Sequence, residues 1–137
     1  ASLLDALVDC IIPPTDTPGA VAAGVPAFIR YALKYGEEKY RAEEFLQSLD
    51  KLDSKVRAEF KQAFPSASQA RQIAFLTSLE RQKEDPLSEF LAALKSITVF
   101  AYCTSQLGAT QTLRYLPVPG PYQGCIKLTN EHRTWAS

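Results

Sequence analysis

The sequence predicts an all-α protein: a single irregular helical domain of about five to seven helices, ending in an extended, proline-rich C-terminal arm. Apolar residues recur at three- and four-residue spacing along most of the chain, the mark of helices with one buried face. Prolines and glycines punctuate those stretches, and strand signals are weak throughout. With 137 residues, the chain can bury one substantial core but not comfortably two. Residues 1–137 therefore read as one domain, with 117–137 as a tail that packs on the helices or on a partner.

The first helix is carried by Leu3, Leu4, Leu7, Val8, Ile11 and Ile12. Pro13-Pro14 stops it, because proline lacks the backbone donor and disfavours helix in the residue before it. Thr15 to Gly19 is a loop in which Thr17 precedes Pro18, as a capping residue precedes a first-turn proline. A short helical turn through Ala20 to Ala23 closes at Gly24, a natural left-handed position. Pro26 opens the next helix, with Val25, Phe28, Ile29, Ala32 and Leu33 as its apolar positions and its end near Gly36.

The longest charged segment runs from Glu37 to Lys61. Phe45, Leu49, Leu52, Val56, Phe60 and Phe64 form a stripe at helical spacing, while Glu37/Arg41 and Asp53/Arg57 pair four residues apart on the wet side. Pro65 ends the segment. Ser66 with Gln69 predicts a capping box for a helix bearing Ile73, Leu76 and Leu79. Asp85-Pro86 repeats the cap-and-proline signal ahead of Leu87, Phe90, Leu91, Leu94, Ile97 and Ala101, with Gly108 expected to terminate that helix. A last helical stretch spans Ala109 to Tyr115. Three prolines between Leu116 and Tyr122 then forbid helix and interior strand alike, so the arm is extended.

Fifteen basic residues balance fifteen acidic ones. A neutral chain lacks the basic excess that phosphate neutralisation requires, so nucleic acid is not an expected partner. No uninterrupted apolar run approaches the roughly 20 residues of a transmembrane helix. The sequence holds no methionine, so a segment ahead of Ala1 is expected to have been removed, as an export signal or by truncation.

Side chains capable of catalysis are sparse. The single histidine, His132, stands among Glu131 and Arg133 in the tail and reads as a solvated residue. Cys10, Cys103 and Cys125 with His132 make four candidate zinc ligands but lack the close pairs that structural zinc sites use. One disulfide among the three cysteines is allowed, its pairing open. Cys-x-x-Cys-His, clustered cysteines, a P-loop, Gly-x-Gly-x-x-Gly and a nucleophile elbow are all missing. The carboxylates of Glu37, Glu38, Glu43 and Glu44 fall on a charged helix face. Asp16, alone in an apolar loop, is placed to cap the next turn or to touch a partner. No catalytic, cofactor-binding or metal-binding set is assigned to this chain.

Three blocks resemble a known family. They are Asp9-Cys10-Ile11-Ile12-Pro13-Pro14-Thr15-Asp16-Thr17-Pro18-Gly19-Ala20, continuing through Ala23 to Ile29; Tyr102-Cys103-Thr104-Ser105-Gln106-Leu107-Gly108-Ala109; and Leu113 to Cys125. With the segment around Phe45, Leu49 and Asp53, they resemble the gluconate 2-dehydrogenase small-subunit (subunit 3) family over nearly the whole chain. Departures are Gln106, where the family often has an acidic residue, Cys103, where it has an aromatic one, and Cys10, where a polar one is more usual.

The resemblance implies a non-catalytic small subunit that binds a large flavoprotein of the glucose–methanol–choline type, a sugar or sugar-acid dehydrogenase. FAD would sit in that catalytic partner, and a haem-bearing cytochrome c subunit would take the electrons onward. It further implies a periplasmic location, reached through a twin-arginine signal removed on export, and an escort role for the catalytic subunit. The expected contact residues are Pro14, Asp16, Thr17, Pro18, Tyr102, Thr104, Tyr115, Pro117, Pro119, Gly120 and Tyr122. Proline backbone is set in advance, and tyrosine gives large contact area at little rotamer cost. The alternatives are a chaperone-like helical module with an unrelated client, or a small Cys/His enzyme or metal protein.

Overall fold

A computed structural model of the chain describes residues 2–36, 39–118, 120, 121, 124–130 and 132–136, with backbone alone at 39–41. Five α-helices follow in order: α1 (Leu3–Ile11), α2 (Val25–Tyr35), α3 (Lys39–Phe60), α4 (Gln69–Arg81) and α5 (Pro86–Thr104). A 3₁₀ turn at Phe64–Ser66 and a π-helical turn at Gly108–Thr112 complete the regular structure. The all-α expectation holds. Among the described residues the one β pairing is an isolated parallel bridge between Arg114 and Trp135.

The helix starts show how local chemistry sets the boundaries. Ser2 accepts from the Asp5 backbone N–H while the Asp5 carboxylate accepts from that of Ser2, a complete capping box on α1. Asp85 caps α5 by accepting from the Leu87 N–H at 2.9 Å, with Pro86 in the first turn as anticipated. Ala20 to Gly24 forms a hydrogen-bonded turn, closed at Gly24 with φ +79°.

Three boundaries differ from expectation. α3 ends at Phe60, before Pro65, because Lys61 takes the left-handed conformation (φ +56°) and turns the chain. The N-cap of α4 is Ser68 and makes no side-chain cap bond, so the Ser66/Gln69 box does not form; Ser66 is occupied in the 3₁₀ turn. α5 stops at Thr104 rather than at Gly108, since Ser105 leaves helical geometry (ψ 155°). The stretch expected to be helical from Ala109 to Tyr115 is shortened to the π turn, and Arg114 is already extended.

α5 is the centre of the fold and touches all four other α-helices. It is long and apolar enough, at 19 residues and mean hydropathy 1.2, to pass for a membrane span. Its apolar residues are used otherwise: Leu87, Phe90, Leu91, Leu94, Ala101 and Tyr102 are buried among the other helices. Leu7, Val8, Ile29, Leu52, Val56, Phe64 and Leu79 complete the core, each at 1% exposure or less. Aromatic edges lock the α3, α4 and α5 faces, with ring centroids 5.0 Å apart for Phe45–Phe90 and 5.4 Å for Phe60–Phe75.

The periodic stripe of α3 is buried as read, and Asp53 pairs with Arg57 at 2.7 Å. The Glu37/Arg41 pair lies outside the described residues. Two apolar positions were misplaced. Ile73 is exposed, and Phe75 is buried in its stead. Phe28, expected in the core, stands partly in solvent.

Candidate partner-docking surface

The N-terminal end of α2 and the C-terminal end of α5 meet at one end of the domain, where Phe28 and Phe100 pair with ring centroids 6.2 Å apart. The loop before α2 and the segment after α5 converge there on a single atom. The Tyr102 hydroxyl donates to the Pro18 carbonyl at 2.6 Å and lies 2.7 Å from the Thr112 hydroxyl. A phenol has one proton to give, so Thr112 donates to Tyr102. Tyr102 is 4% exposed. It was expected to offer its ring to a partner; instead it is a buried strut, its hydroxyl committed inside the chain.

The loop itself is tight. The Ala20 N–H donates to Ile12 O, folding the segment back, and a Cβ on Gly19 would lie 2.7 Å from the Pro14 nitrogen. Only a residue without a side chain fits there. Pro14 and Asp16 are exposed at the loop's surface, Thr17 and Pro18 half-exposed, and the Asp16 carboxylate accepts from the Thr15 hydroxyl at 2.9 Å. Asp16 thus bonds to its neighbour in the loop rather than capping the turn behind it. Thr104, exposed, donates to the Phe100 carbonyl at 2.8 Å.

Beyond the π turn the arm leaves the domain and returns. Arg114 donates to Thr134 O at 2.8 Å and accepts from the Ala136 N–H at 3.0 Å, and its guanidinium lies over the Trp135 ring at 4.5 Å. Arg133 donates to the Gln111 carbonyl at 2.6 Å. The described residues between Arg114 and Trp135 lie outside any helix, and the bridge between those two residues pins the arm at its base. Tyr115, Leu116, Pro117, Gly120, Ile126 and Leu128 on it are exposed, and Val118 reaches 83%. Pro119 and Tyr122 lie outside the described residues.

A second exposed strip was not anticipated. Tyr31 and Tyr35, one turn apart on α2 with centroids at 4.9 Å, continue the line of Phe28; Val99 lies beside Phe100 on α5. Tyr31 is 64% exposed and Phe100 59%. The signal was in the sequence. Phe28, Tyr31 and Tyr35 fall at i, i+3 and i+7, a stripe that Val25, Ile29 and Leu33 do not share.

The remaining chemistry is quiet. A groove of about 670 Å³ between α1 and α4 is lined by Asp5, Asp9, Cys10 and Gln72. Its thiol is no nucleophile: Cys10 donates to Gln72 Oε1 at 3.3 Å, and burial, with Asp9 beside it, pushes the thiol up to about 11. Gln72 in turn donates to Phe64 O at 2.7 Å, tying α1 and α4 to the 3₁₀ turn. Cys10 and Cys103 are half-buried and Cys125 exposed, all three as free thiols, so the disulfide allowed by the sequence is not formed. Among the described residues no three His, Cys, Asp or Glu side chains converge. His132 is exposed, and its Nδ1 accepts from the Thr129 N–H at 3.0 Å.

What distinguishes the chain is therefore an exposed apolar end, with loops bound back onto a central helix. A family profile described as gluconate 2-dehydrogenase subunit 3 matches residues 1–120. The chain belongs to the gluconate 2-dehydrogenase subunit 3 family. The match takes in both convergent loops and the Phe28/Phe100 pair, and stops inside the arm, before Trp135, whose bridge to Arg114 pins it. It agrees with the resemblance drawn from the three sequence blocks. No curated protein and no solved structure matches the chain. Membership makes it a subunit of a dehydrogenase complex.

Proposed function

We propose that the chain is the non-catalytic docking and escort subunit of a periplasmic, FAD-dependent dehydrogenase of the glucose–methanol–choline type, acting on a sugar or sugar acid. The observation that carries this reading is the apolar surface left in solvent: Phe28 beside Phe100 and Tyr31 beside Tyr35 on the helices, with Leu116 and Val118 exposed on the arm. Exposed aromatic pairs and large aliphatic side chains mark surfaces that another protein covers. In this reading the flavin sits in the catalytic subunit. A cytochrome c subunit would receive the electrons from that flavin.

Docking supplies the mechanism. Covering the apolar end removes it from water at roughly 25 cal/mol per Å². Loops already bonded to α5 lose little conformational entropy when a partner closes over them. A catalytic subunit without an export signal would then travel with the chain that has one.

Co-expression with the catalytic subunit tests the proposal. The expected product is a tight complex burying more than roughly 1,600 Å². Its flavin absorbance and dye-reducing activity should both be missing from the purified small chain. Phe100→Ser and Tyr31→Ser, at exposed positions, should weaken the complex far more than they lower the melting temperature of the small chain, which loses one aromatic pair in each. A wild-type chain that stays a stable monomer and retains no catalytic subunit would refute the assignment.

A further inference from the structure

We infer that Tyr102 is the positioning residue of the docking end, one buried hydroxyl that holds the Pro13–Gly19 loop and the C-terminal arm in a single fixed arrangement. The inference rests on the proposed role for its partner, the catalytic dehydrogenase subunit, but its structural half stands alone. Both segments are irregular and reach solvent, and neither belongs to an α-helix or a sheet. They lie 84 and 10 residues from Tyr102, respectively, yet reach the same oxygen at 2.6 and 2.7 Å. The Pro18 carbonyl fixes the first loop. The Thr112 hydroxyl fixes the root of the arm, two residues before Arg114 begins the pairing that pins the arm to Trp135.

The strut is itself immobilised from behind. The Tyr102 carbonyl accepts from the Ser105 hydroxyl at 2.7 Å and from the Ser105 N–H at 3.1 Å, while Ser105 Oγ accepts from the Gly108 N–H at 3.0 Å. The side chain ties two loops together and the main chain anchors the π turn. A phenylalanine would fill the same buried space and pack as well, since only the oxygen differs. For packing alone the hydroxyl is unnecessary. Its use is to couple two segments that a partner must meet at the same time.

Tyr102→Phe and Thr112→Val in the full chain, alone and complexed with the catalytic subunit, separate positioning from bulk stability. Tyr102→Phe is expected to speed amide hydrogen exchange at Ala20, Leu113 and Arg114, whose N–H groups are hydrogen-bonded, while leaving α3 and α4 protected. Thr112→Val should loosen the arm alone. Loss of a neutral hydrogen bond should raise the dissociation rate of the complex roughly three- to tenfold under conditions where both proteins are fully folded. The double variant should dissociate no faster than Tyr102→Phe, because both changes cut the same node. Exchange raised evenly over all helices, or a dissociation rate unchanged in Tyr102→Phe, overturns the inference. Failure of the wild-type chain to bind the catalytic subunit, or its pairing with a second copy instead, overturns the proposed partner; the exchange pattern then still decides the coupling.

Discussion

Gly108 packs directly against the carbonyl of Tyr102: a Cβ placed on it would lie 1.9 Å from that oxygen. The approach follows from the way α5 ends. The chain leaves the helix at Ser105 and comes back over its last turn, so the π turn begins on top of the Tyr102 peptide. The obstacle is main chain, and no rotamer can move aside. Gly108→Ala must therefore displace the π turn or the end of α5. The expected cost is about 2–3 kcal/mol, the upper part of the range for overpacking. Urea unfolding with an unchanged m-value would measure it. A loss below about 0.5 kcal/mol would show that the turn does not sit where described.

Thr98 presents the opposite case. It is fully buried in α5, and its hydroxyl has no hydrogen-bond partner among the described residues. A buried hydroxyl without a partner loses its hydration and gains nothing in return. Thr98→Val exchanges it for a methyl of nearly the same shape. Thermal unfolding should place this variant level with wild type or up to about 1 kcal/mol above it. Thr98→Ala should fall below, because it leaves a void as well. Marked destabilisation by valine would reveal a bond from this hydroxyl.

The three thiols should react in a fixed order. Cys125 is exposed, while Cys10 is half-buried, hydrogen-bonded to Gln72, and held protonated by burial and by the neighbouring Asp9. Thiolate is the reacting species, so alkylation at pH 8 should label Cys125 first and Cys10 last. Peptide mass spectrometry over a time course reads the order. Denaturation should make all three equally fast.

Much of this was legible in the sequence because burial repeats with the helix. Leu87, Phe90, Leu91, Leu94 and Ala101 follow one face of α5 and are all buried. The rest depended on contacts between distant residues. Phe28 neighbours Ile29 in sequence, and only the direction from which α5 arrives decides that Ile29 is covered and Phe28 is not. Tyr102 was singled out as a partner-contact residue, and the structure instead buries it and bonds its hydroxyl within the chain. Its partner carbonyl is 84 residues away, and spacing carries no trace of it. Gly108 was read as a helix stop, the usual meaning of such a glycine, whereas its function is to admit a neighbouring peptide.

Asp85 joins a helix cap to an ion pair, and pH can separate the two. Its carboxylate takes a proton from solvent less readily than usual: the Lys55 ammonium, hydrogen-bonded at 2.5 Å, and then the Leu87 N–H hold it below its ordinary value of 3.8. A carboxyl depressed in the folded state is charged there at a pH where the unfolded chain binds a proton. Its contribution is complete above the unfolded value and disappears as pH falls through the folded one. Asp85→Asn keeps the cap, since asparagine accepts from the same N–H, and removes the charge. The variant should be slightly less stable than wild type at pH 7, by about 1 kcal/mol or less for a pair still open to solvent. The gap should close below pH 3.8. Raising ionic strength at pH 7 should narrow it as well, because salt screens the pair and leaves the cap bond untouched. Urea midpoints for both proteins across pH 2.5 to 7, at low and high salt, measure the difference. A gap that persists at the acid end would mean that Asp85 stabilises α5 through its cap geometry alone and that Lys55 adds nothing.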